Sequence, residues 1–200
     1  MKRRKTSKRM PEQFFTIKRK SKTVDNAIRG AAEYLKIDLP TINYYPYVFS
    51  SPHGGPGQGC CDKAAIVSGR VSIDWLTTGI SFHEQNKIMA SYFDPLCGEA
   101  YGDVDIIFTL LHELRHFWQY KYEREKYYGM PNAVTEEDHL SDISEIDADA
   151  FALAYGIFVL GYKNEEIPML FQAQYGLDKG KRKKRAQKIF AEFKERGLVA

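Results

Sequence analysis

The chain has 200 residues, of which 44% are hydrophobic and 28% are charged, and its formal net charge is +3. This composition is that of a globular domain long enough to have its own core. No apolar run approaches the roughly 18 residues of a membrane span, and the basic N-terminus lacks the apolar segment of a secretory signal. We therefore expect a cytoplasmic protein that does not contact a membrane.

The three cysteines, Cys60, Cys61 and Cys97, argue against a disulfide framework. An odd count that includes an adjacent pair is poorly suited to intramolecular pairing. No Cys-x-x-Cys pair occurs, which excludes a zinc ribbon. We expect reduced thiols.

Charge is distributed unevenly along the chain. Residues 1–23 contain ten lysines and arginines against one acid, and residues 179–200 contain nine against two. The middle, 24–178, contains ten against 23, so an acidic body has two basic ends. Such ends are either solvated segments or surfaces for nucleic acid, and neither contains a base-reading motif that would choose between the two.

Charge and periodicity together divide the chain into three parts. Residues 1–22 have no periodic apolar face and are expected to form a disordered basic arm. Residues 23–178 are expected to form one domain. Residues 179–200 have apolar residues at helical spacing, which predicts a basic C-terminal helix packed on that domain.

The first half of the domain mixes helix and strand signals. Apolar spacing predicts a helix over 24–36, and the β-branched and aromatic run over 41–49 predicts a strand. The glycine- and proline-rich stretch 50–59 is typical of a loop. Alternating residues around a Ser-Gly turn predict two short strands over 64–75, and a helix is expected over 83–93.

The second half is helical in pattern. The strongest periodicity predicts a helix over 103–126, followed by helices over 141–160, 164–174 and 181–196. All the elements together predict an α+β fold, in which a small antiparallel or mixed sheet packs on the helix over 103–126.

That helix contains "FTLLHELRHFWQY", in which His112, Glu113 and His116 interrupt a hydrophobic run. Residues four apart share one face of a helix, so both imidazoles can point at one ion. A glutamate beside the first histidine can reach a water at that ion without binding the ion itself. This is the His-Glu-x-x-His arrangement of zinc peptidases, whose glutamate is the general base.

A catalytic zinc ion needs a third protein ligand. The extended motif with a further histidine is absent, because Gln119 and Tyr122 stand at its positions, and His53 and His139 are isolated. The stretch "SEIDADAFALAYG" offers a carboxylate instead.

In that stretch Glu145 and Asp149 are four apart on an otherwise apolar helix. Glu145 is expected to be the third ligand. Asp149 is expected to accept a hydrogen bond from the outward nitrogen of a ligand histidine. Asp147 lies on another face and is expected to be solvated. The alternative is an exposed acidic stripe.

The motifs "HELRH" and "EIDAD" together resemble the pattern of the gluzincin peptidases. The preceding "YLKIDLP" and "GRVSIDW" are similar to the minimal gluzincins of the ImmA/IrrE type, which are small cytosolic peptidases of bacteria and phages, some of which cleave a DNA-bound repressor. The resemblance covers about residues 24–160. Arg115 departs from the pattern, because that group usually has glycine at this position.

The resemblance implies roles for individual residues. His112, His116 and Glu145 would bind one zinc ion per chain, Glu113 would be the catalytic acid and base, and Asp149 would orient a ligand histidine. The stretch "GRVSIDW" would be an edge strand that binds the substrate backbone. Residues 23–178 would then be a zinc metallopeptidase domain.

These observations predict a zinc-dependent hydrolase that cleaves a peptide bond in a cytosolic protein, such as a bacterial or phage regulatory protein. The candidates for the oxyanion stabiliser are Tyr155, His139 and Tyr101. One alternative is a metal-containing module that binds nucleic acid or another protein through its basic ends. Another is an interaction protein with an inactive gluzincin fold, against which the intact Glu113 argues.

Overall fold

The computed structural model describes residues 21–45, 49–50, 56–57, 59–60, 66–68, 71–73, 87–91, 101–128, 142–168, 171–172 and 180–199. The predicted arm over 1–22 lies outside these residues except for Ser21 and Lys22. His53, His139, Cys61 and Cys97 also lie outside them.

Helix α1 runs from Lys22 to Leu35. It begins after Ser21, whose hydroxyl accepts a hydrogen bond from the Val24 amide at 3.3 Å, as an N-cap residue should. It ends at Lys36, which adopts the left-handed conformation at φ 56°. The helix predicted over 24–36 is confirmed. Its buried face consists of Val24, Ala27, Ile28, Ala31, Ala32 and Leu35.

Helix α2 runs from Asp103 to Tyr122 and contains the two histidines. Acidic side chains in its first turn suit the positive end of the helix dipole. One of them, Asp103, accepts a hydrogen bond from the Ser21 hydroxyl at 2.5 Å, which ties the beginnings of α1 and α2 together. The helix predicted over 103–126 is interrupted at Glu123, and the short helix α3, Arg124–Tyr128, follows.

Helix α4 runs from Ile143 to Ala154 and is capped by Asp142, whose carboxylate accepts from the Ser144 amide at 2.8 Å. Nearly its whole circumference is buried, so it is the central helix, with α2 on one side and the C-terminal helix on the other. It continues into a π-helical turn, Tyr155–Val159. The helix predicted over 141–160 is thus present but not regular throughout.

Helix α5 runs from Lys181 to Glu195 and confirms the helix predicted over 181–196. Ala186, Ile189 and Phe193 form its buried apolar stripe, so it docks on the body. Between α4 and α5, the segment predicted as a helix over 164–174 contains the 3-10 turn Asn164–Glu166, and Phe171 and Gln172 are helical. Residues 169–170 and 173–174 of this prediction lie outside the described residues.

The strands are short and lie between residues 41 and 91. They are β1 (Thr41–Tyr45), β2 (Phe49–Ser50), β3 (Pro56–Gly57), β4 (Gly59–Cys60), β5 (Ile66–Ser68), β6 (Val71–Ile73) and β7 (Lys87–Ser91). β7 pairs with β1 in parallel and with β4 antiparallel, and two further antiparallel pairs join β2 to β3 and β5 to β6.

The predicted α+β fold, with a sheet as a structural layer, is wrong. The described part of the chain is mainly helical, and its core comes mainly from α1, α2, α4 and α5. Among the side chains that the structure describes, Ile88 is the one buried hydrophobic residue that a strand contributes. The physical reason is that the helices bury their apolar faces against each other. The predicted helix over 83–93 is also wrong, because Lys87–Ser91 is the strand β7.

Helix α2 and the π-helical turn after α4 approach each other closely at Gly156. A Cβ atom added there would lie 2.5 Å from Cζ of Phe108, so a glycine is required at this contact. Elsewhere Tyr34 of α1, Phe151 of α4 and Phe193 of α5 pack ring against ring and hold the three helices together. Within the described ranges, none of the helices is long and apolar enough to cross a bilayer.

Candidate metal centre

His112 and His116 lie one turn apart on α2, and Glu145 lies in the first turn of α4, where that helix packs on α2. Their three side chains form a group that could hold a metal ion. The side chains of His112 and Glu145 remain 16% and 18% exposed, so the group lies at the edge of the core and is accessible to solvent.

The ligand atoms of these residues converge on one point. The two histidine Nε2 atoms are 3.0 Å apart, and the Glu145 carboxylate oxygens lie 3.3 Å from Nε2 of His112 and 3.4 Å from Nε2 of His116. A tetrahedral zinc ion with bonds of roughly 2.0–2.1 Å separates its ligand atoms by about 3.3 Å. The 3.3 Å distance involves Oε2 of Glu145 and the 3.4 Å distance involves Oε1. All three separations are close to the spacing of ligand atoms around a tetrahedral ion, so the group could hold one.

The outward nitrogen of His112 is held by a carboxylate. Nδ1 of His112 lies 2.7 Å from Oδ1 of Asp149, and the other oxygen of Asp149 accepts from Nε of Arg182 at 2.6 Å. A carboxylate oxygen accepts hydrogen bonds, so Nδ1 of His112 donates. In the neutral imidazole the lone pair of His112 is therefore on Nε2, which faces Glu145 and His116.

The outward nitrogen of His116 is held by an amide. Nδ1 of His116 lies 2.8 Å from Oε1 of Gln119. The Gln119 amide nitrogen donates to the Ser144 carbonyl oxygen at 2.9 Å and to Asp147 at 3.0 Å, which fixes the orientation of the amide. Nδ1 of His116 is therefore a donor as well, and its Nε2 carries a lone pair.

Asp147 joins three helices. It accepts two hydrogen bonds from Arg115 of α2, at 2.7 and 3.2 Å, and one from Arg185 of α5 at 2.6 Å. Its side chain is only 2% exposed, so the prediction that Asp147 is solvated is wrong. The reason is that α4 is covered on several sides, and the arginines that cover it neutralise its acidic residues.

The donor set fits a cation. Two imidazole lone pairs 3.0 Å apart, with a carboxylate facing both, repel one another unless positive charge lies between them. The hydrogen-bonded carboxylate and amide behind the histidines are the partners that metal-ligating histidines typically have. Nitrogen and oxygen ligands of this kind suit zinc.

The pKa values of the three side chains also indicate that the group favours positive charge. Burial alone would lower the pKa of His112, but the charges and hydrogen bonds of Asp149 and Glu145 outweigh it, and the pKa lies well above its usual value. Burial likewise opposes a raised pKa at His116, where Glu145 prevails. Burial would raise the pKa of Glu145, but His116 and His112 hold it well below its usual value. The pocket thus attracts positive charge, which can be a metal ion or protons.

Glu113 is 5% exposed and follows His112 directly on α2. Its negative charge acts on His116, whose pKa it raises by less than Glu145 does, so the carboxylate lies near the ligand group. The Glu113 side chain, like that of Glu145, also has further polar or electrostatic partners. Its place beside the metal group is what proton transfer at that group would require.

Tyr155 lies elsewhere. It is ten residues beyond Glu145, which is about 15 Å along a helix, and its ring packs with Tyr34 and Phe193. Its hydroxyl lies against Gly30, where an added Cβ would be 3.0 Å away. Burial raises the pKa of Tyr155 to about 12. Its surroundings do not support a role as the oxyanion stabiliser. Tyr101 packs against the core, and His139 lies outside the described residues.

Sequence reasoning missed Gln119 and three arginines: Arg115, Arg182 and Arg185. A signal existed for Arg182, which stands four residues before Ala186 on the same face as Ile189 and Phe193. A charge within an apolar stripe indicates a buried partner. Arg115 offered a weaker signal. It is a charged residue between the two histidines, within the hydrophobic stretch that contains them.

Comparison of the chain with family models, with curated proteins and with solved structures gives no match. The resemblance to gluzincins therefore stays a prediction from two motifs.

Proposed function

We propose that the chain is a zinc-dependent peptidase that hydrolyses a peptide bond in a protein substrate. The observation that carries this proposal is the convergence of two histidine Nε2 atoms and the Glu145 carboxylate at 3.0–3.4 Å, with both outward nitrogens held by hydrogen bonds. A structural zinc site usually has four protein ligands, whereas a catalytic site has three and leaves a position open. Among the described residues, the group has three members.

His112, His116 and Glu145 would hold the zinc ion. When bound, zinc would polarise the scissile carbonyl and lower the pKa of a water molecule. The side chains behind the ligands keep both imidazoles in the tautomer that presents Nε2 inward, through Asp149 and Gln119. The chain thus supplies a prearranged set of ligands on two packed helices, which is more rigid than a set on loops.

Glu113 would be the acid and base of the reaction. In this role its carboxylate takes a proton from the attacking water and delivers it to the amine that leaves. Its low exposure favours such a transfer, because electrostatic interactions are stronger where water is excluded. We propose that the substrate is a cytosolic protein, such as a regulatory protein of a bacterium or phage. Some of the peptidases that the chain resembles cleave substrates of this kind.

The test separates metal binding from catalysis. We expect protein purified without added metal to contain about one zinc per chain. Glu113→Gln should keep the zinc and lower hydrolysis of a casein or peptide-library substrate by on the order of 10²–10⁴-fold, because the general base is lost. Glu145→Gln should lower zinc content itself. Glu123→Gln, at an exposed residue just after α2, is the matched control and should change neither quantity.

Two results would contradict the proposal. One is zinc content below about a tenth of an equivalent, with no uptake on titration. The other is equal hydrolysis by the unaltered chain and by Glu113→Gln, which would remove the peptidase function while leaving the metal centre.

A further inference from the structure

Arg182 reaches from the C-terminal helix to the ligand group through one carboxylate. Its side chain is 1% exposed, and its Nε donates to Oδ2 of Asp149 at 2.6 Å. The other oxygen of Asp149 lies 2.7 Å from Nδ1 of His112. A continuous chain of two charge-assisted hydrogen bonds therefore connects α5 to a ligand of the candidate metal.

We propose that Arg182 is a positioning residue for the metal centre, which acts through Asp149 on His112. This inference rests on the proposed zinc site. Its physical basis is that the Asp149 carboxylate has one partner at each oxygen. With Arg182 in place, the carboxylate is oriented with one oxygen toward His112 and the other toward Arg182. Without Arg182, the carboxylate can rotate, and it no longer holds His112 with Nε2 inward.

Attachment of α5 to the body has supports other than Arg182. Ile189 and Phe193 of α5 are 1% and 0% exposed and lie in the hydrophobic core, in the second half of the helix. Arg185 makes its own bond to Asp147. Arg182 instead lies in the first turn of α5, beside the ligand group, so its loss should affect the metal more than the docking of the helix.

Arg185 provides the contrast. It also comes from α5 and also pairs with a buried aspartate of α4, but Asp147 keeps two bonds from Arg115 when Arg185 is removed. The path from Asp147 to His116 also passes through Gln119, which has a second anchor at the Ser144 carbonyl oxygen. Removal of Arg185 should therefore leave the ligand geometry in place.

The experiment measures zinc affinity of the full chain by competition with a chelator, at a temperature well below the unfolding midpoint of each variant. We expect Arg182→Met to weaken zinc binding by on the order of 10–100-fold. Arg185→Met and the exposed control Lys184→Met remove the same charge from the same helix, and each should change the affinity by about threefold or less. Arg182→Lys, which keeps a cation with a shorter reach, should give an affinity between those of the unaltered chain and Arg182→Met.

A double-mutant cycle tests the route. Asp149→Asn should weaken zinc binding in the same range, and addition of Arg182→Met to it should cause no further loss of more than about threefold, because Arg182 acts through the carboxylate of Asp149. Additive losses would overturn the inference.

Three other results would also overturn it. Equal zinc affinities of Arg182→Met and Lys184→Met would refute the role of Arg182 but not the zinc site itself. Equal losses in Arg182→Met and Arg185→Met would assign the effect to docking of α5 in general. Absence of zinc uptake by the unaltered chain would overturn the proposed function as well. Should Arg182→Met fail to fold, Arg182→Lys carries the test, and an affinity equal to that of Lys184→Met would refute the role.

Discussion

Asp147 and Asp149 stand two residues apart on α4, and both are almost completely buried, but they serve different parts of the molecule. Asp149 lies between Arg182 and the candidate ligand His112. Asp147 lies among Arg115, Arg185 and the Gln119 amide, and its bonds connect α2, α4 and α5. One carboxylate holds a candidate ligand, and the other connects the helices. Residues of the same type in one acidic run can therefore have separate functions, set by the helices that cover them.

The largest expected effect comes from removal of the scaffold carboxylate. Asp147→Ala should lower the free energy of unfolding by about 3–5 kcal/mol, because it leaves Arg115 buried without its ion-pair partner. Chemical denaturation measures this change. The control Glu165→Ala, at an exposed position, should stay within about 0.5 kcal/mol. Equal stability of the two variants would refute the scaffold role.

Zinc affinity should distinguish the two carboxylates. Asp149→Asn should weaken zinc binding by on the order of 10–100-fold, or roughly 1.4–2.7 kcal/mol. Asp147→Asn should change it by about threefold or less, since Gln119 keeps its bond to the Ser144 carbonyl oxygen. Chelator competition at neutral pH gives both values. A reversed order would show that the roles of the two carboxylates are exchanged.

The pH dependence of stability follows from Asp147. Burial would raise its pKa, but Arg115 and then Arg185 lower it from 3.8 to about 2. Because the folded-state pKa is the lower one, the stabilisation is fully present above about pH 4 and is lost as the pH falls to about 2. The difference corresponds to about 2 kcal/mol. Denaturation of the unaltered chain and of Asp147→Asn between pH 6 and 2 should show a flatter profile for the variant, and parallel profiles would contradict the assignment.

The smallest effect is expected where an ion pair is exposed. Lys126 and Glu123 are 3.5 Å apart, with side chains that are 55% and 40% exposed. Glu123→Gln should change the free energy of unfolding by less than about 1 kcal/mol, because water screens the pair. A loss as large as that of Asp147→Ala would mean that burial is not what distinguishes the pairs.

The helices could be predicted from the sequence wherever apolar spacing was strong. The spacing in α1 and α5 predicted their bounds to within two residues. The strands predicted over 41–49 and 64–75 are present as β1, β5 and β6. The role of the sheet in the fold could not be predicted correctly, because β-branched and aromatic runs indicate an extended chain but not which element buries the core. The helix assigned to 83–93 failed for a related reason, since a short apolar run of this length suits a strand equally well.

The ligand residues were predictable because a metal site imposes spacing. His112 and His116 must be four apart to share a helix face, and Glu145 and Asp149 repeat that spacing. The arginines carry no such spacing. Arg182 and Arg185 belong to a run of five consecutive basic residues, 181–185. Only the packing of α5 decides which of these side chains are buried.

This result also changes the interpretation of the basic C-terminal segment. Two of its nine lysines and arginines, Arg182 and Arg185, bond to aspartates of α4. They are engaged within the protein, and a nucleic acid would meet a correspondingly smaller positive surface. Nucleic-acid binding through the basic ends stays a prediction for the remaining residues.

The contact between Gly156 and Phe108 has a consequence for the alignment of the two helices that carry the candidate ligands. α2 and α4 each carry part of the ligand set, and sliding of one helix along the other by a single residue rise, about 1.5 Å, would change the distances from Glu145 to both histidines. Phe108 stands one turn before His112, and Gly156 follows Glu145 by eleven residues. A methyl group added at Gly156 would meet the Phe108 ring at 2.5 Å and push the two helices out of alignment. The separation of Glu145 from the two histidines thus depends partly on a glycine just beyond the far end of α4.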